Sequence, residues 1–155
     1  MADEAPCRRV RVVHGPNLNL LGRREPETYG TMTLAQLDAA LEQAGNSHGL
    51  VVDSCQENSE GAIIDRLHEA ATTHGGVIIN PGGYTHTSVA IRDALAAIDI
   101  PAIEVHLSNI FSREPFRHTS ITGSACIGVV MGLGPASYQL ALSHMARLLM
   151  PVADR

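Results

Sequence analysis

Apolar positions along the chain fall into two alternating patterns. Short segments rich in Val and Ile cover residues 8–13, Leu50–Cys55, Gly76–Asn80, Pro101–Leu107 and Cys126–Met131, each about the length of a strand. Between them apolar residues recur at helical spacing: Leu34, Leu37, Leu41 and Ala44; then Ile63, Leu67, Ala70 and Ala71; then Ile91, Leu95 and Ile98. The punctuation agrees with this division. Thr33-Leu-Ala-Gln36 is a capping box, in which side chain and backbone amides satisfy one another across the first turn. Gly45 or Gly49 closes that helix, Asn58 or Ser59 caps the second, and Thr85 or Thr87 begins the third. Pro81-Gly82-Gly83 stops the third strand. Gly134-Pro135 opens the last helix, with proline where its missing N–H loses no hydrogen bond.

The strand segments read as continuous runs, without polar–apolar alternation. Strands of that kind are covered on both faces, which implies a parallel sheet between two layers of helices. Right-handed crossovers leave few topologies. The expected fold is α/β, a flavodoxin-like three-layer domain with a five-stranded parallel sheet in the order 2-1-3-4-5. One domain spans residues 1–155, with 1–8 and 151–155 expected to be flexible tails.

Composition narrows the function. A chain of 155 residues with 45% apolar content can bury a real core, and no apolar run approaches a membrane span. The acidic N-terminal residues lack the order of a signal peptide. The net charge of −5 argues against nucleic acid as a partner. Cys7, Cys55 and Cys126 are widely spaced, so reduced and mostly buried thiols in a cytoplasmic protein are expected, with no zinc site. All 11 cations are arginine. Without a lysine amine the chain has no side chain for a Schiff base, a pyridoxal-phosphate linkage or a Walker-type phosphate loop.

Ligands of open parallel sheets bind beyond the carboxyl ends of the strands, near the point where strand order reverses. The polar residues falling there are Asn17, the loop with Arg23, Arg24 and Tyr29, Asn80 to His86, Glu104 to Ser108, and Arg113 and Arg117. A lone tyrosine is more often a packing residue, but a neighbouring guanidinium favours phenolate and makes Tyr29 a candidate base. Glu104 and His106 alternate on one face of the fourth strand, and His106 is the candidate acid. His48, His68, His74 and His144 are expected at the surface, while His14 either lines the site or packs. Pairing of Arg113 with Glu114 is the plainest reading of that arginine. Four arginines near one edge of an acidic protein nevertheless suit an anionic substrate. Asn80-Pro-Gly-Gly is either a simple turn or a backbone cradle for an anion. A tyrosine base and a histidine acid suit removal of a proton beside a carbonyl, then loss of a protonated leaving group.

Gly15-Pro-Asn-Leu-Asn-Leu-Leu-Gly22, Arg24-Glu-Pro26 with Tyr29-Gly30, Asn80-Pro81 with Tyr84–Ala90, Glu104–Asn109 and Arg113–Arg117 together resemble type II 3-dehydroquinate dehydratase. The resemblance covers about residues 10 to 150. It implies a hydro-lyase converting 3-dehydroquinate to 3-dehydroshikimate by anti elimination through an enolate, without Schiff base or cofactor. The pathway implied is shikimate biosynthesis of aromatic amino acids or quinate catabolism. It also implies a cytoplasmic dodecamer built of trimers, with neither nucleic acid nor membrane as partner. On the matching motifs, Tyr29 accepts the proton, His106 donates one, Arg24 stabilises charge, and Asn17 holds a water against the enolate oxygen. Asn80, His86, Leu107, Ser108 and Arg117 bind substrate, Asp93 reaches a neighbouring subunit's site, and Arg113 lies on a lid. Gly83 and Glu104 support the site. His14, Cys55, Glu57 and Ile121 depart from the pattern, where the family usually carries Asn, Arg, Ser and Tyr.

A flavin- or phosphate-binding module on the same fold is the contrasting class. It would call for a Ser/Thr/Gly-rich first loop and stacking aromatics, whereas this chain has Gly-Pro-Asn, no Trp and two Phe. A receiver-type signalling domain would need an acidic cluster at the first strand and a lysine near the last, and the chain has neither.

Overall fold

The computed structural model describes residues 7–23 and 25–150, with the side chain of Tyr29 also outside the described set. Five strands, β1 (Arg9–His14), β2 (Val51–Gln56), β3 (Gly76–Asn80), β4 (Ala102–His106) and β5 (Gly128–Met131), form one parallel sheet in the order β2-β1-β3-β4-β5. The helices are α1 (Pro26–Tyr29), α2 (Leu34–Ser47), α3 (Glu60–Thr73), α4 (Val89–Ala97) and α5 (Pro135–Leu149). This is the flavodoxin-like arrangement expected. Among the described residues, no helix is long and apolar enough to cross a membrane.

Two hydrophobic layers sandwich the sheet. Val10, Val12, Ile78, Ile103 and Val105 pack beneath α2 and α5. Val13, Val77, Ile79 and Ala102 pack against α3 and α4. Successive strand side chains point to opposite faces, so a run buried at every position is the signature of a sheet covered twice. β3 and β4 are buried along their full length.

The capping box of α2 forms as expected, Thr33 accepting from the Gln36 amide and Gln36 from that of Thr33. Gly45 does not close this helix. It lies within it, and a β-carbon there would come within 2.3 Å of a Val52 methyl. Gly49, with φ +70°, follows the last turn, where the Leu50 amide returns to the Gly45 carbonyl. The start of the third helix also differs. Gly82–His86 forms a 3-10 turn, and Ser88 caps α4 by accepting from the Ile91 amide, three residues beyond Thr85. Thr85 is instead buried beneath the sheet edge, its hydroxyl drawn to a carboxylate.

Two expectations about burial are corrected, and one that was left open is decided. Cys7 is exposed, and Cys55 and Cys126 are only half-buried. His74 is buried, its Nε2 2.8 Å from Asp53, which also meets Arg9 and Arg11. Burial alone would raise the Asp53 carboxyl, but the hydrogen bonds and charge of Arg9, His74 and Arg11 hold it below its ordinary range. His14, for which lining the site and packing were both open, packs, with no exposed surface.

Candidate active site

The carboxyl ends of β1, β3 and β4 open onto a cavity of about 180 Å³. Its walls come from three loops. After β1, Gly15 donates its amide to the Asn80 carbonyl at 2.7 Å, an approach so close that a β-carbon on Gly15 would strike the same oxygen. The chain then turns at Asn17, which sits in the left-handed region at φ 70° and leads into the 3-10 turn Leu18–Leu20. Asn58 steadies this conformation: its Oδ1 accepts from the Asn17 amide at 2.9 Å and from Gln56 Nε2 at 3.0 Å. Gln56 also reaches the Gly15 carbonyl. Neither Asn58 nor Gln56 was expected as a site residue; Gln56 is the last residue of β2 and Asn58 follows it, at the carboxyl edge where the site was expected.

After β3, Asn80 closes the strand and its Oδ1 accepts from the Gly82 amide. Gly82, Gly83 and His86 continue the wall. After β4, His106 is followed by Leu107 and Ser108, and the 3-10 turns Ile110–Ser112 and Pro115–Arg117 bring Arg113 and Arg117 over the opening. None of the described residues lining this cavity is Asp or Glu. Arg117 meets Glu114 at 2.7 Å, and Arg113 approaches the same carboxylate at 3.9 Å and Ser108 at 3.4 Å. A cleft bordered by two guanidiniums and two imidazoles, with no acidic wall, suits an anion.

Glu104 and His106 share a face of β4, as their alternation requires. Glu104 has no exposed surface, and its carboxylate collects four donors: Thr85 Oγ1 at 2.6 Å, Ser120 Oγ at 3.0 Å and His106 Nε2 at 2.6 Å on one oxygen, and Thr122 Oγ1 at 2.5 Å on the other. Burial would raise this carboxyl. The hydrogen bond and charge from His106, then the hydroxyls of Thr122 and Thr85, outweigh it and hold Glu104 ionised below its ordinary range. With Nε2 engaged, Nδ1 is the nitrogen His106 can turn to the cavity, and Glu104 supplies an anion for positive charge on the ring. Beside this cluster, burial and Glu104 push the Cys126 thiol up to about 12.

Of the expected residues, Asn17, Asn80, Gly83, His86, His106, Leu107, Ser108, Arg113 and Arg117 line one cavity, with Glu104 directly behind His106. Arg24 and the Tyr29 phenol lie outside the described residues. The backbone of α1 does border the site: Thr28 and Gly30 flank an adjoining opening that shares Leu107, Ser108 and Arg113. Arg23 is exposed in the preceding turn and lines neither opening. Asp93 stands apart, exposed on α4 and paired with Arg92 at 3.0 Å.

Comparison with known proteins places this geometry. The family model described as Dehydroquinase class II matches residues 8–146. "3-Dehydroquinate dehydratase 2" of Pseudomonas putida is 53% identical over 140 residues, covering 90% of this chain and 94% of that protein. The "Catabolic 3-dehydroquinase" of Penicillium rubens is 49% identical over 136 residues, 88% of each chain. The crystal structure of type II dehydroquinase from Propionibacterium acnes superposes with a TM-score of 0.88 at 44% identity, over 90% of this chain and 97% of that one. Matched along nearly its whole length in sequence and in fold, the chain belongs to the class II dehydroquinase family of dehydratases.

Proposed function

We propose that this chain dehydrates 3-dehydroquinate to 3-dehydroshikimate by anti elimination through an enolate. The observation that carries the reading is the buried Glu104–His106 pair at the edge of a cleft bordered by Arg113 and Arg117, with no Asp or Glu among its described lining residues. An anionic hydroxy-ketone needs such a cation-lined cleft, and loss of its hydroxyl as water needs a positioned acid.

In this reading Tyr29, ionised beside Arg24, removes the proton adjacent to the ketone. The electron pair moves onto the carbonyl oxygen, where Arg24 and a water held by Asn17 stabilise the enolate. As the enolate collapses, the carbon–oxygen bond to the leaving hydroxyl breaks and His106 supplies the proton that completes water. Glu104 holds the ring in place and compensates its charge. Asn80, His86, Leu107, Ser108 and Arg117 fix the substrate, and Arg113 closes over it. Asp93 contributes across a subunit boundary in a dodecamer of trimers, which accounts for its place on the outer surface of α4. The same chemistry serves shikimate biosynthesis or quinate breakdown in the cytoplasm.

The direct test is to give the purified protein 3-dehydroquinate and follow absorbance of the conjugated enone. Enone should form, Tyr29→Phe should nearly abolish turnover while keeping substrate binding, and borohydride with substrate should leave activity intact. No enone from the wild type refutes the activity; a covalent adduct trapped by borohydride refutes the enolate route.

A further inference from the structure

Behind Asn80, on the face of the sheet opposite Glu104, four polar side chains run through the apolar layer beneath α2 and α5. His14 and Tyr138 are wholly buried, and Asn80 is nearly so. Asp38 on α2 meets His14 Nε2 at 2.8 Å; His14 Nδ1 meets the Tyr138 hydroxyl at 3.0 Å; Asn80 Nδ2 meets that hydroxyl at 3.1 Å. Asn80 Oδ1 then accepts from the Gly82 amide at 3.1 Å. Asp38, whose side chain is 35% exposed, is the solvent end, and the cavity is the other.

The two ends decide the direction of every bond between them. A backbone N–H can only donate, so the Asn80 atom facing Gly82 is its oxygen and the atom facing Tyr138 is its nitrogen. The Tyr138 oxygen therefore accepts from Asn80, and its single proton needs an acceptor. His14 Nδ1 is the one in reach. Burial pushes the Tyr138 phenol well above its ordinary range, so that proton stays on the oxygen to be donated. At the other end the Asp38 carboxylate only accepts, so Nε2 of His14 must carry a proton; with Nδ1 accepting from Tyr138, the ring is the neutral Nε2–H form. Both ends fit one pattern.

We propose that His14 and Tyr138 are positioning residues that lock the Asn80 carboxamide in one orientation for substrate, through this one-directional relay from Asp38. The inference rests on the reading of Asn80 as a substrate contact. Turning the carboxamide over would set its NH2 against the Gly82 N–H and its oxygen against Tyr138. The hydroxyl could then donate to Asn80 only by abandoning His14, whose Nδ1 would be left buried without a donor. Moving the ring proton to Nδ1 instead would set a bare Nε2 against the Asp38 carboxylate. One flipped amide thus leaves at least one buried group unpaired wherever the error is moved, and such groups are costly.

The test uses the full chain in its native assembly. Solid-state 15N spectra of histidine-labelled protein, with the His14 signals identified by their loss in His14→Asn, should show a protonated Nε2 and an unprotonated Nδ1. Tyr138→Phe and His14→Leu should raise KM for 3-dehydroquinate roughly tenfold, the worth of one hydrogen bond, with kcat changing far less. His14→Asn should recover most of what His14→Leu loses, because its Oδ1 can take the Tyr138 proton. An Nδ1-protonated ring overturns the relay whatever the activity, and so does unchanged KM in Tyr138→Phe. Wild-type protein that ignores dehydroquinate counts against the proposed function alone, since the spectra test the relay independently.

Discussion

Thr122→Val isolates what the Glu104 cluster contributes to the fold. Thr122 is wholly buried, and its hydroxyl is the donor on the second carboxylate oxygen, while three other donors crowd the first. Valine keeps the shape and removes the donor, leaving half of a buried carboxylate without a partner. Loss of a hydrogen bond to a charged group costs about 1.5–3 kcal/mol. The loss should depend on pH with a definite sign. Glu104 is held below its ordinary value of 4.5, so its stabilisation is fully present above that value and disappears as pH falls through the folded-state value. Thr122 is one cause of that depression. The variant's folded-state value is therefore higher, and the gap between the two proteins is full near pH 7. It closes as pH falls through the variant's value and then the wild type's. Urea unfolding of both proteins along a series from pH 7 to pH 3.5 measures it, with Thr122→Ser as control. The control keeps the hydroxyl and loses about one methylene's burial, roughly 0.8 kcal/mol at every pH. A Thr122→Val cost below about 0.5 kcal/mol at pH 7, or one as independent of pH as the control, would refute the assignment.

Removing the acid itself, His106→Ala, should lower kcat roughly 10²–10⁴-fold in the enone assay, and a near wild-type rate would place the donor elsewhere. Alkylation at pH 8 followed by peptide mass spectrometry should label exposed Cys7 rapidly and Cys126, whose thiol stands at about 12, only on unfolding. Equal labelling of the two in folded protein would contradict that environment. Mixing Asp93→Ala subunits with Tyr29→Phe subunits should regain activity if sites are completed across a boundary; normal mixed assemblies without activity would confine the site to one chain.

What the chain settles locally could be read from it directly. Strand and helix periods, the Thr33–Gln36 capping box and Pro135 at the first position of α5 depend on residues within a few positions of each other, so their energetics travel with the sequence. The shared face of Glu104 and His106 follows from the two-residue period of a strand, and the cavity's position follows from the strand order. Other features needed the packed fold. His14 looked equally suited to the cavity and to the core, and the decision came from α2 and α5, which bring Asp38 and Tyr138 to it from 24 and 124 residues away. His74 looked like a surface residue because nothing near it in sequence shows that Asp53 awaits it across the end of the sheet. Thr85 looked like a helix cap until a buried carboxylate 19 residues away claimed its hydroxyl. In each case a polar side chain taken out of water must find a partner, and which partner is within reach depends on what the tertiary structure buries beside it.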